Sequence, residues 1–208
     1  MISSPIRVLC VDDHPLMRDG IAFALQSQKD MELVGQAVDG EEALTLFREL
    51  RPDITLMDLQ MPGMNGIATI EAIRKEFPKA RIVVLTTYSG DVQASRALKA
   101  GALGYLLKSM LRTELLGTIR TVHAGGRRIP PEIASELAEH ISADALSQRE
   151  VEVLRSVAAG NSNKIVADEL SITEDTVKGH MKSILSKLGA NDRTHAVLIA
   201  IKRGFLDG

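Results

Sequence analysis

Asp53-Ile54-Thr55-Leu56-Met57-Asp58-Leu59-Gln60-Met61-Pro62-Gly63-Met64-Asn65-Gly66 is the stretch on which the reading of all 208 residues turns. An apolar run, Ile54 to Met57, ends on one carboxylate, Asp58, and a Pro/Gly turn follows at once. A short apolar run bounded by turn signals reads as a buried strand. In an open α/β sheet, chemistry sits just beyond the carboxyl ends of the strands, which is where Asp58 falls. An isolated Asp at such a place serves equally well to start a turn. Its neighbours must decide.

Upstream, Val8 to Val11 is a β-branched apolar run that stops at Asp12-Asp13, and His14-Pro15 opens a helix. Leu16, Ile21, Phe23, Ala24 and Leu25 are expected to supply much of that helix's apolar surface. Glu32 to Val38 reads as a second strand, and Asp39-Gly40-Glu41-Glu42 has capping-box spacing before the next helix. Downstream, Ile67, Ile70, Ile73 and Phe77 recur at helical spacing. Arg81 to Thr87 is a fourth strand, and Gly101 caps a helix through Ala94 to Ala100. Ala102 to Leu107 forms a fifth strand ending at Lys108, with a fifth helix over Thr113 to Val122. Five strand–helix alternations predict a parallel sheet covered by helices on both faces, and right-handed crossovers favour the doubly wound arrangement.

After Val122 the pattern changes. His123 to Pro131 is rich in breakers and is the best boundary, with a short linker helix over Pro131 to His140. From Ser147 onward only helices are signalled. Ser147-Gln148-Arg149-Glu150 is a second capping-box pattern, Gly160 and Gly189 close helices, Ser162 to Leu170 is a short helix, and Asp192 to Arg203 is the last. The expected fold is thus a doubly wound five-stranded parallel α/β domain followed by a small all-α domain of four helices.

Composition narrows the function classes. A formal net charge of -2 provides no bulk basic field, so any nucleic-acid site must be local. Aromatic content of 3% without Trp argues against a single-strand binder built on stacking platforms. The one cysteine, Cys10, lies in an apolar strand and reads as a small buried hydrophobe. The N-terminus lacks signal-peptide character, and no apolar run approaches the ~20 residues needed to cross a bilayer. A cytoplasmic protein without membrane partners is expected.

Chemistry collects at the strand ends: Asp12 and Asp13, Asp58, Thr86 and Lys108. Clustered carboxylates repel one another unless a cation joins them, and hard oxygen ligands suit Mg²⁺. A carboxylate beside Mg²⁺ and an ammonium is a nucleophile toward phosphorus, with the cations offsetting charge on the equatorial oxygens. Taken singly, each residue is an ordinary solvated strand-end polar group. Their coincidence at successive strand ends is not.

On Asp12-Asp13, Asp58 before Met61-Pro62-Gly63-Met64-Asn65-Gly66, Thr86, Tyr105 and Lys108, the chain resembles the receiver domain of two-component response regulators. The resemblance covers roughly residues 6 to 123 and implies a flavodoxin-like receiver over residues 1–124. It implies that Asp58 accepts a phosphoryl group from the phosphohistidine of a partner sensor histidine kinase. Asp12, Asp13, Asp58 and the Gln60 backbone carbonyl would hold Mg²⁺, and Thr86 and Tyr105 would be the switch pair. Thr86 would move toward the phosphoryl group while Tyr105 fills the space it leaves. Ser109 stands where many receivers have Pro, which leaves open whether the Lys108–Ser109 peptide is cis. Gln60 and Tyr88 occupy positions resembling those that tune phosphate lifetime, and Tyr88 is expected to shield the acyl phosphate from water.

The informative helix of the second domain runs from Thr173 to Leu188. Val177, Met181, Ile184, Leu185 and Leu188 fall on one apolar face, with Lys178, Gly179 and Lys182 opposite. From Thr176 to Leu188 there are three lysines and no acid, a local basic surface on a nearly neutral chain. The short helix and tight turn before it, Gly160 to Ile172, make a helix-turn-helix arrangement. Together with Leu146 to Leu154 and Asn191-Asp192-Arg193, these segments resemble the LuxR-type DNA-binding domain over residues 145–208, with residues 125–144 as linker. Ile165 departs from the Glu common in that family. The resemblance puts the helix from Thr173 in the major groove of double-stranded DNA. Lys178, Gly179 and Lys182 would face bases or phosphates, while Asn163, Lys164 and Thr176 contact phosphates. Arg193 is expected to pair with Glu150, and His180 to be a half-buried spacer.

Receiver plus LuxR-type domain resembles the NarL/FixJ class of response-regulator transcription factors. The implied protein is a phosphorylation-controlled homodimer on DNA that acts on the transcription machinery and is not an enzyme. Its last helix, apolar through Ala196, Val197, Ile199, Ala200 and Ile201, is a candidate dimer surface. Two rivals are weighed against it. An aspartate-based phosphohydrolase needs a second acid two residues after its nucleophile, where this chain has Gln60. A receiver used only for dimerisation leaves the complete acidic set without a purpose.

Overall fold

The computed structural model describes residues 4–87, 91–139 and 146–206. Two compact units divide it, one built on a sheet and one of C-terminal helices.

In the first unit, β1 (Ile6–Val11), β2 (Met31–Ala37), β3 (Ile54–Asp58), β4 (Ile82–Thr86) and β5 (Gly104–Leu107) form one parallel sheet in the order β2-β1-β3-β4-β5. Every residue of β3 and β4 is buried, as expected of central strands covered on both faces. The covering helices are α1 (Pro15–Gln26), α2 (Gly40–Leu50), α3 (Gly66–Glu76), α4 (Asp91–Ala100) and α5 (Leu111–His123). Val8, Cys10, Ile54, Leu56, Val83 and Leu85 pack with Ile21 and Leu25 of α1 and with Leu115, Ile119 and Val122 of α5. The alternate residues, Leu9, Val11, Met57 and Val84, point to the other face. The strand order reverses between β1 and β3, so the crevice at their carboxyl ends is the topological switch point.

Local chemistry sets the helix starts. Asp39 Oδ1 accepts from the Glu42 amide at 2.9 Å, and Glu42 Oε2 reaches back to the Val38 amide at 2.8 Å, one residue earlier than in the standard capping box. Asn65 Oδ1 accepts from the Ala68 amide at 3.0 Å to start α3.

Two sequence expectations need adjustment here. Leu16 and Phe23 do not belong to the α1 core face: they are 87% and 77% exposed. The sheet is met by Met17, Ile21, Ala24 and Leu25, whose i, i+4, i+7, i+8 spacing leaves Leu16 and Phe23 on the outer side. The fifth helix starts at Leu111, before Thr113, because a 3-10 turn at Lys108–Met110 leads directly into it. The breaker-rich stretch after α5 lies along the sheet edge: the Tyr105 amide donates to the Arg128 carbonyl at 2.8 Å and the Arg128 amide to Leu103 at 3.1 Å. No cis peptide bond occurs among the described residues, which answers the question at Lys108–Ser109. Tyr88 lies outside the described residues.

Beyond α6 (Pro131–Glu139), the second unit contains α7 (Gln148–Ala158), α8 (Asn163–Leu170), α9 (Glu174–Leu188) and α10 (Arg193–Arg203). Ser147 and Glu150 complete the expected capping box on α7, and Gly189 and Gly204 close α9 and α10 in the left-handed conformation. Val153, Leu154, Val157, Val166, Val177, Met181, Ile184, Leu188, Ala196 and Ala200 make one core. Among the described residues, no helix is long and apolar enough to cross a membrane.

Candidate functional site

β1 and β3 are neighbours, and their last residues deliver two carboxylates to one crevice. Asp12 follows β1 directly and is fully buried, while Asp58 ends β3 at 2% exposure. Lys108, just past β5, places its Nζ 2.8 Å from Asp58 Oδ2 and 2.8 Å from Asp12 Oδ2. Burial pushes the Asp58 carboxyl above its usual range, against the pull of Lys108. For Lys108, burial alone lowers the ammonium, but its bonds to Asp12 and Asp58 outweigh that and it ends above its usual value. A charged Lys108 thus bridges two carboxylates that would otherwise repel.

The second oxygen of each carboxylate is held more lightly. Asp58 Oδ1 accepts from the Gln60 amide at 3.2 Å, and Asp12 Oδ1 accepts from the His14 amide at 2.9 Å. Asp13 is half-buried, its Oδ1 2.6 Å from His14 Nδ1. Ligand atoms of Asp12, Asp13, His14 and Asp58 all lie within 4.8 Å of one another. Three carboxylates against one lysine leave a negative pocket of hard oxygen donors, a fit to Mg²⁺.

Thr86 ends β4 at 1% exposure, one residue beyond Leu85, which is in register with Asp58. Tyr105 is fully buried in β5, in register with Val84. The structure therefore gathers Asp12, Asp13, Asp58, Gln60, Thr86 and Lys108 at one sheet edge, with Tyr105 deeper in the same layer. Cys10, two residues before Asp12, is not part of this chemistry: burial pushes its thiol up to about 12.

Three participants escaped the sequence reading. His14 reaches the acidic cluster, and its position next to Asp13 was the available signal. Arg18 donates to the Asp12 carbonyl at 2.6 Å, holding the turn out of β1. Gly66 packs its backbone on Asp58: a Cβ there would meet the Asp58 carbonyl oxygen at 2.0 Å and Leu59 Cα at 2.8 Å.

In the second unit, α9 buries Val177, Met181, Ile184 and Leu188 and leaves Lys178, Gly179 and Lys182 exposed. Thr176 is exposed, its hydroxyl 2.9 Å from that of Thr173. On α8, Lys164 is exposed and Asn163 half-buried. His180 is half-buried, as a spacer would be. Ser171 forms the tight turn between α8 and α9 in the left-handed conformation, with φ of 53°.

Arg193 does not pair with Glu150. Its guanidinium donates to the Asn161 carbonyl at 2.9 Å. Glu150 instead takes the Ser147 amide at 2.7 Å, the Ser183 hydroxyl at 2.6 Å and Lys187 Nζ at 2.9 Å. Burial alone would raise its carboxyl, but these bonds prevail and hold it down at about 2. The buried carboxylate at the start of α7 is satisfied by α9, which leaves Arg193 for the loop before α8.

Comparison with known proteins agrees with both units. Residues 8–120 match the response regulator receiver domain, and residues 144–200 match the luxR family of bacterial regulatory proteins. The transcriptional regulatory protein LiaR of Bacillus subtilis is 39% identical over 203 residues, spanning 94% of this chain and 96% of that protein. LnrK of the same organism, also a transcriptional regulatory protein, is 34% identical over 215 residues, spanning 96% and 98%. Among solved structures, RcsB of Salmonella enterica serovar Typhimurium, bound to a promoter in the presence of phosphomimetic BeF3-, has a TM-score of 0.73 at 28% identity. That match covers 94% of this chain and 98% of RcsB. Receiver motif, helix-turn-helix and full-length relatives converge, and the chain belongs to the response regulators that join a receiver domain to a LuxR-type DNA-binding domain.

Proposed function

We propose that Asp58 is the phosphoryl acceptor of this response regulator and that its modification controls homodimeric, sequence-specific DNA binding through α9. The observation that carries this reading is Lys108 at 2.8 Å from both Asp58 and Asp12 at adjacent strand ends. Lys108 occupies Asp58 Oδ2, so Oδ1, held among the described residues by the Gln60 amide alone, is the oxygen that attacks phosphorus. The phosphorus–nitrogen bond to the histidine of a partner sensor kinase breaks as the new phosphorus–oxygen bond forms, and the imidazole leaves with the electron pair. Lys108 offsets the charge gathering on the equatorial oxygens. Asp12, Asp13 and Asp58, with the Gln60 carbonyl, would hold Mg²⁺, which when bound supplies further charge neutralisation there. Thr86, at the neighbouring strand end, donates a hydrogen bond to the transferred group, and Tyr105 follows it as the second half of the switch.

The division proposed for the chain is a receiver over 1–124, a linker over 125–144 and a DNA-binding domain over 145–208. Lys178, Gly179 and Lys182 form the groove-facing side of α9, with Asn163, Lys164 and Thr176 on phosphates. A cytoplasmic location and action on the transcription machinery follow from this reading.

The deciding experiment measures specific DNA binding by wild type and Asp58→Asn, each with and without acetyl phosphate and Mg²⁺. Wild type gains the mass of one phosphoryl group and binds more tightly with the donor; Asp58→Asn does neither. Equal binding in all four conditions would overturn the proposal.

A further inference from the structure

One acidic residue sits among the cations of α9. Asp175, Lys178, Gly179 and Lys182 stand at i, i+3, i+4 and i+7, which makes them one stripe along the helix, and all four are exposed. Val177, Met181, Ile184 and Leu188 occupy the other side, in the core. Asp175 is in the first turn of α9, and in helix-turn-helix proteins the N-terminal residues of the recognition helix reach the base edges. Its Oδ1 lies 2.9 Å from Lys178 Nζ. A Cβ built on Gly179 would meet nothing within 4 Å, so the stripe is open beside this pair and backbone can come close to DNA there.

We infer that Asp175 and Lys178 together read a G·C base pair, with Asp175 accepting from the cytosine amino group and Lys178 donating to the guanine. This rests on the placement of α9 in the major groove proposed above. A carboxylate is an acceptor only, and phosphates offer it nothing but repulsion. The donors that the major groove presents are the amino groups of cytosine and adenine, and Asp pairs with the first of these. Lysine is matched to O6 and N7 of guanine. An acceptor and a donor held side by side on one helix face therefore mirror the donor and acceptors that a G·C pair presents side by side. The intrahelical ion pair is solvent-exposed and contributes little by itself, so it is readily exchanged for contacts to bases.

The test uses the full-length phosphorylated protein and a library of random DNA duplexes. Wild type, Asp175→Asn, Asp175→Ala, Lys178→Ala, Lys182→Ala and Glu174→Gln are each put through selection, followed by affinity measurements on the preferred duplex and its single-pair variants. Wild type is expected to require G·C at one position of each half-site, losing about tenfold when that pair is replaced. Asp175→Ala loses this preference, and Asp175→Asn moves it toward A·T, because an Asn amide matches adenine. Glu174→Gln removes the same charge from the same turn, one position round the helix from Asp175 at the edge of the stripe, and keeps the wild-type preference. Unfolding curves superimposing on wild type show that the variants fold.

An unchanged base preference in Asp175→Ala overturns the inference. So does a uniform gain of affinity for all duplexes, which marks Asp175 as a phosphate repellent only. If Lys178→Ala and Lys182→Ala also bind every duplex as wild type does, the placement of α9 itself fails, and that result is distinct from a failure of Asp175 alone.

Discussion

Gly66 and the Asp58 carbonyl lie so close that a single added methyl would sit 2.0 Å from the oxygen. The start of α3 is pressed against the strand that carries the proposed acceptor, and the Gly66 amide donates to the Leu59 carbonyl at 3.1 Å. The contact is with backbone, which cannot swing aside. Gly66→Ala is therefore expected to destabilise the sheet unit by about 1–3 kcal/mol, as overpacked cores do. It should also slow phosphorylation by displacing Asp58. Urea unfolding and a phosphorylation time course check both effects.

Lys108 is the counter-charge for two buried carboxylates. Lys108→Met leaves them facing each other and is expected to cost on the order of 3–5 kcal/mol, the range for breaking a buried pair. Asp58→Asn acts in the opposite direction. Burial raises the Asp58 carboxyl, so at neutral pH its ionised form opposes folding, and that opposition is relieved as pH falls through the raised value. Thermal unfolding without divalent cations should show Asp58→Asn above wild type and Lys108→Met below it.

Glu150 predicts an acid-sensitive DNA-binding unit. Its carboxyl is held at about 2, below the ordinary 4.5. A depressed acid stabilises the fold above its unfolded value and loses that contribution as pH falls toward the folded one. Stability contributed by Glu150 is thus full above about pH 4.5 and lost between there and about pH 2. Glu150→Gln should flatten that window and cost about 1–3 kcal/mol at neutral pH, through the unmet Lys187, Ser183 and Ser147 donors. Unfolding monitored by helical circular dichroism across this range is the measurement.

Ser171 holds a left-handed conformation in the turn between α8 and α9. Non-glycine residues adopt it at a cost, and glycine does not, although glycine gives up more chain entropy on folding. The first effect is the larger, so Ser171→Gly should stabilise the unit by up to about 1 kcal/mol. A β-branched Ser171→Val should destabilise it. A shift of the urea midpoint in opposite directions is expected for the two.

Lys182 is exposed on the stripe proposed to face the groove and makes no salt bridge among the described residues, unlike Lys178, which Asp175 holds. As a phosphate contact, Lys182→Ala should weaken binding to all sequences alike and reduce the slope of log affinity against log salt by about 1. Titrations at several salt concentrations decide between this and a base-reading role.

The strand–helix alternation, the acidic strand ends and the caps at Asp39 and Ser147 were all legible in the chain. Each is local: a period, a short motif, or a side chain bonding to a backbone amide a few residues away. The acidic set was legible as well, because a parallel doubly wound sheet sends every strand's carboxyl end to the same edge. Once the order of elements is known, Asp12, Asp58, Thr86 and Lys108 must converge.

Tertiary structure decided what depends on distances between segments far apart in the chain. Both Leu16 and Ile21 are apolar residues of α1, and only packing against β1 and α5 buries Ile21 and leaves Leu16 in solvent. Arg193 could reach either a carboxylate or a carbonyl; Glu150 had already been satisfied by Lys187 and Ser183 from α9, and a buried carboxylate takes the donors nearest to it. Gly66 reads as one more turn glycine until the strand it touches is in place. The chain alone determined which elements form and which edge holds the chemistry, since these follow from periodicity and topology. Which side chains meet across that edge was settled by close packing, where a shift of one methyl group changes the partner.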